Sequence, residues 1–311
     1  MTVTTPTAPR LASRLVNGAL SIKPLASLAK QLARKMMIKR AESIGVYWTK
    51  EVQTLSSRGE AVAFSSNWDT ELAQIQSGLT YPEYYLRPFH AYDQGDLSWD
   101  AAMEAEVAAY AVHARIWPEA GTQGDAKLRQ SYHDVLKAQI NNEPKDILDL
   151  GCSVGMSTFA LQTVYPQATV TGLDLSPYFL AVARYRSQPQ PRINWIHAAA
   201  ESTGLPDGSF DLISAFLMCH ELPRTATRQI FQEACRLLRP EGHLAIMDMN
   251  PKSDAHAKMP PYILTLLKST EPYLDDYFTF DIEQAFVDAG FAPPTLTCNS
   301  PRHRTLIAQV S

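Results

Sequence analysis

An α/β fold with a seven-stranded, mostly parallel sheet is predicted by three observations. From Asp146 onward, short apolar runs alternate with longer amphipathic ones, the pattern of strands and helices taken in turn. The first run, Ile147-Leu-Asp-Leu150, passes into a turn of small residues, Gly151-Cys-Ser-Val-Gly155, as a buried parallel strand does on handing over to a helix. The second ends in Asp174, 19 residues beyond Gly155, about where the next strand of one βαβ unit should finish.

Taken in order, the strands are expected at 146–150, 169–174, 194–198, 210–216, 243–250, 295–298 and 304–310. Helices fill 156–164, 178–187, 225–238 and 282–289, each closed by a nearby Pro or Gly. In the third of these, Phe231, Cys235 and Leu238 share a face. Asn299-Ser-Pro-Arg-His303 is too short for a crossover helix, so the last two strands pair antiparallel. The sheet is therefore Rossmann-like with an antiparallel last strand. Residues 41–125 precede it as an aromatic-rich helical lid, joined to the core (126–311) through a linker at Gly121-Thr-Gln-Gly-Asp125. A second insert, 252–279, follows the fifth strand. Both can reach the carboxyl edge of the sheet, where ligands bind in open α/β folds.

The chain of 311 residues is long enough to bury a core without staples, and its four cysteines, Cys152, Cys219, Cys235 and Cys298, form no C-x-x-C pair. Reduced thiols in a cytoplasmic or plastid-like compartment are expected, not secretion. No apolar stretch reaches eighteen residues, which excludes a spanning helix. Residues 1–40 hold eight basic residues and no acid, leaving 20 basic against 32 acidic residues in the remainder. Leu11, Leu15, Ile22, Leu25, Leu28, Leu32, Met36 and Met37 recur there at amphipathic spacing, broken at Pro24. Such a segment suits a transit peptide, a helix lying on an anionic membrane surface, or an ordinary packed arm. The acidic remainder argues against a nucleic-acid partner.

Gly151 and Gly155 let the backbone curl close to a ligand, and Asp174 offers a carboxylate to a ribose hydroxyl pair, so an adenosine-containing cofactor is expected. Ser153 stands where the middle glycine of a dinucleotide fingerprint would be, and no Gly-Lys-Ser/Thr follows to make a P-loop. At these residues the chain resembles the class I S-adenosylmethionine-dependent methyltransferases, particularly the small-molecule group that includes quinone and sterol methyltransferases. The resemblance covers roughly 128–250. It implies S-adenosyl-L-methionine as cofactor, its methionine part wrapped by Asp149, Gly151, Cys152, Ser153 and Gly155, and its ribose held by Asp174. Leu175, Ser176, Ala200, Glu201 and Phe216 complete the candidate cofactor set. Cys152 itself is more simply read as a small apolar filler than as a nucleophile. The family's Asp-Ala-Glu, whose Asp reaches the adenine amino group, is here Ala199-Ala200-Glu201, which leaves adenine to the backbone and Leu175.

Methyl transfer from a sulfonium is an in-line displacement in which alignment and exclusion of water matter most. The family places substrate-facing groups after the fourth strand, here Phe216-Leu-Met-Cys-His-Glu-Leu-Pro223. His220 is the leading candidate base, with Glu221 to orient it, and packing of His220 against the next helix is the plain alternative. His90, in the polar-aromatic run Tyr84-Tyr-Leu-Arg-Pro-Phe-His-Ala-Tyr-Asp93, is the second; most of that run's tyrosines are expected as lid packing. Met259-Pro-Pro-Tyr262 echoes an amino-methyltransferase box but has Met for Asn and follows the wrong strand. Asp254 and His256 find no matching third ligand, so no metal is expected.

The expected substrate is a hydrophobic small molecule accepting methyl on oxygen or carbon, with Tyr262, Ile263, Leu264, Leu266 and Leu267 lining a greasy site. The segments 251–281 and Tyr81-Pro-Glu-Tyr-Tyr85 resemble uncharacterised cyanobacterial and chloroplast methyltransferases, implying a quinone, pigment or lipid-like acceptor. A cofactor-binding protein without turnover, and a protein or RNA methyltransferase, are the other classes considered.

Overall fold

The structure, a computed structural model, describes residues 34–90, 92–187 and 192–311. Its centre is one sheet of β1 (Asp146–Leu150), β2 (Thr169–Asp174), β3 (Ile193–His197), β4 (Phe210–Phe216), β5 (Leu238–Met249), β6 (Thr295–Thr297) and β7 (His303–Gln309). The strand order is β3-β2-β1-β4-β5-β7-β6. The first five strands pair parallel, and β7 pairs antiparallel with both β5 and β6, as the short connection demands. The order reverses beside β1, which has β2 on one side and β4 on the other, so the binding crevice falls at their carboxyl ends.

In chain order the helices are α1 (34–43), α2 (Trp48–Ser57), α3 (Asn67–Ile75), α4 (Trp99–His113), α5 (Gly124–Gln139), α6 (Met156–Val164), α7 (Pro177–Arg186), α8 (Arg224–Leu237), α9 (Asp254–Ala257), α10 (Pro261–Thr270), α11 (Leu274–Phe278) and α12 (Ile282–Asp288). Alternate strand residues face opposite layers. Leu148, Leu150, Ile213, Leu244 and Ile246 pack against α8 and α12, while Ile147, Val170, Leu212, Ala245 and Met247 pack against Leu128, Tyr132 and Leu136 of α5 and Leu161 of α6. The buried stripe of α8 is Ala226, Ile230, Phe231, Ala234 and Leu237. Leu238, expected on that helix, instead opens β5, and Cys235 is only half-buried.

The aromatic-rich segment divides in two. Trp68, Trp99, Phe64 and Tyr178 form a chain of ring contacts with centroids 5.0–5.6 Å apart, which docks α3 and α4 onto α7. Tyr81, Tyr84, Tyr85 and Phe89 belong to the turn that overhangs the crevice. Of the basic start, residues 1–33 lie outside the described residues; Met36 is exposed and Met37 packs beside Val46 and Trp48. No described helix is long and apolar enough to cross a membrane.

At the end of the expected linker 121–125, Gly124 and Asp125 are buried, while Thr122 and Gln123 are exposed. A Cβ on Gly124 would lie 2.5 Å from the His113 carbonyl oxygen, so α4 and α5 meet at van der Waals distance. Asp125 accepts from Arg129 Nε at 2.9 Å and faces His113 Nδ1 at 2.6 Å. Burial alone would raise the Asp125 pKa, but Arg129 and His113 overcome it and hold it at about 2. A depressed carboxyl stabilises the fold above its ordinary value of 3.8 and loses that contribution as pH falls towards 2. The stability gap between wild type and Asp125→Asn, measured by urea unfolding, is expected to be about 2 kcal/mol near pH 6 and to shrink steadily below pH 4.

Candidate active site

The loop after β1 is shaped by three consecutive demands on the backbone. Gly151 (φ 62°) and Gly155 (φ 86°) are left-handed, and a Cβ on Gly151 would lie 2.8 Å from the Met218 sulfur. Ser153, where a middle glycine was absent, takes φ 49° regardless. Its N–H donates to Asp174 Oδ2 at 2.8 Å, which offsets a left-handed cost of about 1 kcal/mol. Asp174 Oδ1 accepts from Ser176 N at 2.7 Å, so the carboxylate ties the first loop to the second.

Asp149 is fully buried, accepting from Ser157 Oγ and Thr158 Oγ1, both at 2.6 Å, through Oδ2. Its Oδ1 is buried with no protein partner. Burial pushes both Asp149 and Asp174 up to about 6, against the hydroxyl and backbone donors that work the other way. A cradle that a Cβ would fill and an orphaned carboxylate oxygen beside it fit a ligand with adjacent cationic and hydroxyl groups.

Gly155→Ala would place its Cβ 2.7 Å from the Trp195 ring and 3.0 Å from Phe159. The left-handed φ adds about 1–2 kcal/mol, and repacking about 1–3 kcal/mol. Thermal unfolding of Gly155→Ala is expected several degrees below wild type. An unchanged midpoint would mean that the loop relaxes freely.

The remaining candidates are placed as follows. Ser176 caps α7, accepting from Phe179 N and donating to the Asp96 carbonyl at 2.7 Å. The Leu175 carbonyl accepts from His197 Nε2 at 3.0 Å, while His197 Nδ1 accepts from Ser77 N at 3.0 Å, which fixes the neutral tautomer. Ala200 is buried beneath the turn 199–202. Glu201 Oε1 accepts from Tyr84 in a short bond, and its Oε2 is buried without a partner. Cys152 is buried, and burial followed by Asp174 pushes its thiol well up, as a filler and not a thiolate. The Phe216 ring is turned away from this set: it meets Tyr132 at 5.7 Å with Arg129 over its face at 4.5 Å, on the α5 layer.

A second constellation lies beyond the loops. His220, in the short 3-10 turn Cys219–Glu221 after β4, is buried. Its Nδ1 pairs with Asp248 Oδ1 at 2.7 Å, and its backbone N–H donates to Asp248 Oδ2 at 3.1 Å. Burial disfavours charge on His220, but Asp248 overrides it and pushes the imidazole up to about 10. Its Nε2 stands 3.9 Å from Glu221 Oε1. From the other side His90 Nε2 stands 3.8 Å from the same oxygen. His90 is held there by a left-handed φ of 51° and by its N–H donating to the Thr270 carbonyl at 2.9 Å. This bond joins the first insert to the second. Desolvation by the packed turn and the neighbouring His220 lower the His90 pKa, although 44% of its side chain remains exposed. Burial also raises Glu221, Glu271 and Asp96, of which Glu271 is buried and Glu221 and Asp96 are half-buried.

Three acids here were not singled out from the sequence: Asp248, Glu271 and Asp96. Asp248 carried a signal, a lone carboxylate in the apolar run Leu244-Ala-Ile-Met-Asp248, which a buried strand keeps only with a partner. Asp96 and Glu271 lie in irregular chain and carried none. Among the described residues no group of three or more His, Cys, Asp or Glu is arranged to hold a metal. Asp254 pairs with Lys258, and His256 with Ser253 and the Asn250 carbonyl.

Residues 147–242 match the family described as methyltransferase domain. A phthiotriol/phenolphthiotriol dimycocerosates methyltransferase of Mycobacterium leprae is 31% identical over 122 residues, 39% of this chain and 44% of that protein. A malonyl-[acyl-carrier protein] O-methyltransferase of Laribacter hongkongensis is 28% identical over 165 residues, 50% of this chain and 54% of that protein. The chain spans about half the length of these curated relatives. In fold it is similar to a Nostoc punctiforme protein provisionally named an O-methyltransferase, with TM-score 0.54, 18% identity, and coverage of 85% of this chain and 73% of that one.

Proposed function

We propose that the protein moves a methyl group from S-adenosylmethionine to an oxygen or carbon of a hydrophobic, lipid-related small molecule, a reading supported by the match of residues 147–242 to a methyltransferase domain. The dimycocerosate and acyl-carrier relatives support a lipid-related acceptor. The bound cofactor supplies an electrophilic methyl on a sulfonium centre. Asp174 accepts from the ribose hydroxyls while its backbone donors hold the carboxylate in place. Gly151, Ser153 and Gly155 bring the main chain against the methionine part, and Asp149 Oδ1 takes a donor from it. Leu175, Ala200 and Glu201 form the adenine wall, closed by Tyr84 from the overhanging turn.

One observation carries the catalytic reading: Glu221 Oε1 lies 3.8 and 3.9 Å from two histidine Nε2 atoms. Those gaps are too wide for hydrogen bonds and wide enough for one acceptor atom to touch all three groups. The two histidines then divide the work. His220, charged through Asp248, donates and orients. His90, held neutral, accepts the proton, and Glu221 steadies it. Purified protein incubated with methyl-labelled cofactor and a cell lipid extract is expected to yield labelled organic-soluble product. Heat stabilisation by S-adenosylhomocysteine without any such product would instead favour a binding protein without turnover.

A further inference from the structure

The turn that carries His90 is anchored from behind by a buried carboxylate with no part in the chemistry described above. His90 keeps its left-handed φ of 51° inside a tight turn: Phe89 and Tyr92 exchange backbone hydrogen bonds at 3.2 and 3.0 Å, and Gly95 N donates to the Tyr92 carbonyl at 3.1 Å. A non-glycine residue stays left-handed only where its surroundings over-determine it. On one side the Thr270 carbonyl takes the His90 N–H at 2.9 Å. On the other, Tyr92 Oη donates to Glu104 Oε2 at 2.8 Å, on the second turn of α4. Burial, with Glu104 next, raises the Tyr92 hydroxyl, so it remains a donor.

Glu104 is 3% exposed, and a buried carboxylate is costly without a cation. Among the described residues that cation is Arg34, the first residue of α1: its Nε donates to Glu104 Oε2 at 3.2 Å, and a terminal guanidinium nitrogen meets Oε1 in a short contact. Ala41, Val107 and Ala111 already share an apolar cluster between α1 and α4, so the ion pair is not needed to join those helices. What the charge adds is a strong, directional acceptor for the Tyr92 hydroxyl. We propose that Glu104 is a positioning residue: through Tyr92 it fixes the turn that presents His90 to the methyl acceptor, and Arg34 keeps it ionised. None of these bonds involves Asp174 or the glycine loop after β1, so cofactor binding does not depend on them.

This inference rests on the proton-accepting role given to His90, and the test separates the two. Wild type, Tyr92→Phe, Arg34→Gln and Arg34→Lys are compared by calorimetric titration with S-adenosylhomocysteine, by hydrogen–deuterium exchange, and by transfer of labelled methyl to a cell lipid extract. Tyr92→Phe removes one hydroxyl and keeps the ring, so it tests the anchor without opening a cavity. Losing a hydrogen bond to a charged acceptor is expected to speed exchange across residues 86–95 about tenfold and to slow transfer about tenfold, in Tyr92→Phe and Arg34→Gln alike. Their S-adenosylhomocysteine affinity should stay within about twofold of wild type, and Arg34→Lys should recover most of the rate, because it restores the charge on Glu104. Wild type that binds no S-adenosylhomocysteine sinks the methyltransferase reading itself. Binding with exchange and transfer unchanged in Tyr92→Phe sinks the positioning role alone, as does faster exchange spread evenly over the whole protein.

Discussion

Asp174→Ala is expected to weaken S-adenosylhomocysteine binding by about 100-fold or more. The carboxylate does two things at once: it faces the crevice at the end of β2 and receives the N–H groups of Ser153 and Ser176 at 2.8 and 2.7 Å. Hydrogen bonds to a charged acceptor are worth about 1.5–3 kcal/mol each, and orphaning a buried donor costs a similar amount. With the acceptor gone, nothing holds Ser153 at φ 49°, so the first loop loses its shape along with the ribose contact. Asp174→Asn keeps one acceptor and should fall between the two. Calorimetric titration of all three proteins, with circular dichroism to confirm folding, gives the ranking. Equal affinity in Asp174→Ala would remove Asp174 from the cofactor site.

Asp248→Asn is expected to lower kcat by about 10²–10⁴ while leaving the cofactor KM nearly unchanged. Asp248 is fully buried, accepting from the His220 backbone, the Met249 backbone at 2.6 Å and the His220 ring. The amide preserves shape but loses the charge that holds His220 protonated. Burial then acts unopposed, and the imidazole pKa falls from about 10 to below its ordinary value. Titration of the His220 ring by NMR should record that downward shift. A large kcat loss with the His220 pKa unmoved would mean that Asp248 acts through packing alone.

The sheet was largely legible because its signals are local. Alternation of apolar runs, the glycines at 151 and 155 and the short turn at 299–303 each act within a few residues, and strand ends moved by only a few positions, except that β5 begins at Leu238 rather than His243. The close approach at Gly124 was not legible because glycine permits both a flexible linker and a tight approach, and only the partner backbone of α4 decides between them. Phe216 lies at the right strand end, but alternation turns its ring to the α5 layer.

His220, Glu221 and His90 were each visible as residue types; their convergence on Glu221 Oε1 was not. It depends on Thr270 capturing the His90 backbone across about 180 residues of chain. The charge on His220 was equally hidden, since it is set by Asp248 from a different strand.

Methyl transfer is proposed at the crevice formed by the loops after β1, β2 and β4. The decisive measurement incubates wild type, Asp174→Ala and Asp248→Asn with methyl-labelled S-adenosylmethionine and a lipid extract. Labelled organic-soluble product and stoichiometric S-adenosylhomocysteine are expected from the wild type, with both lost in the two variants. Label transferred equally by all three proteins, or no cofactor bound by the wild type, would contradict it.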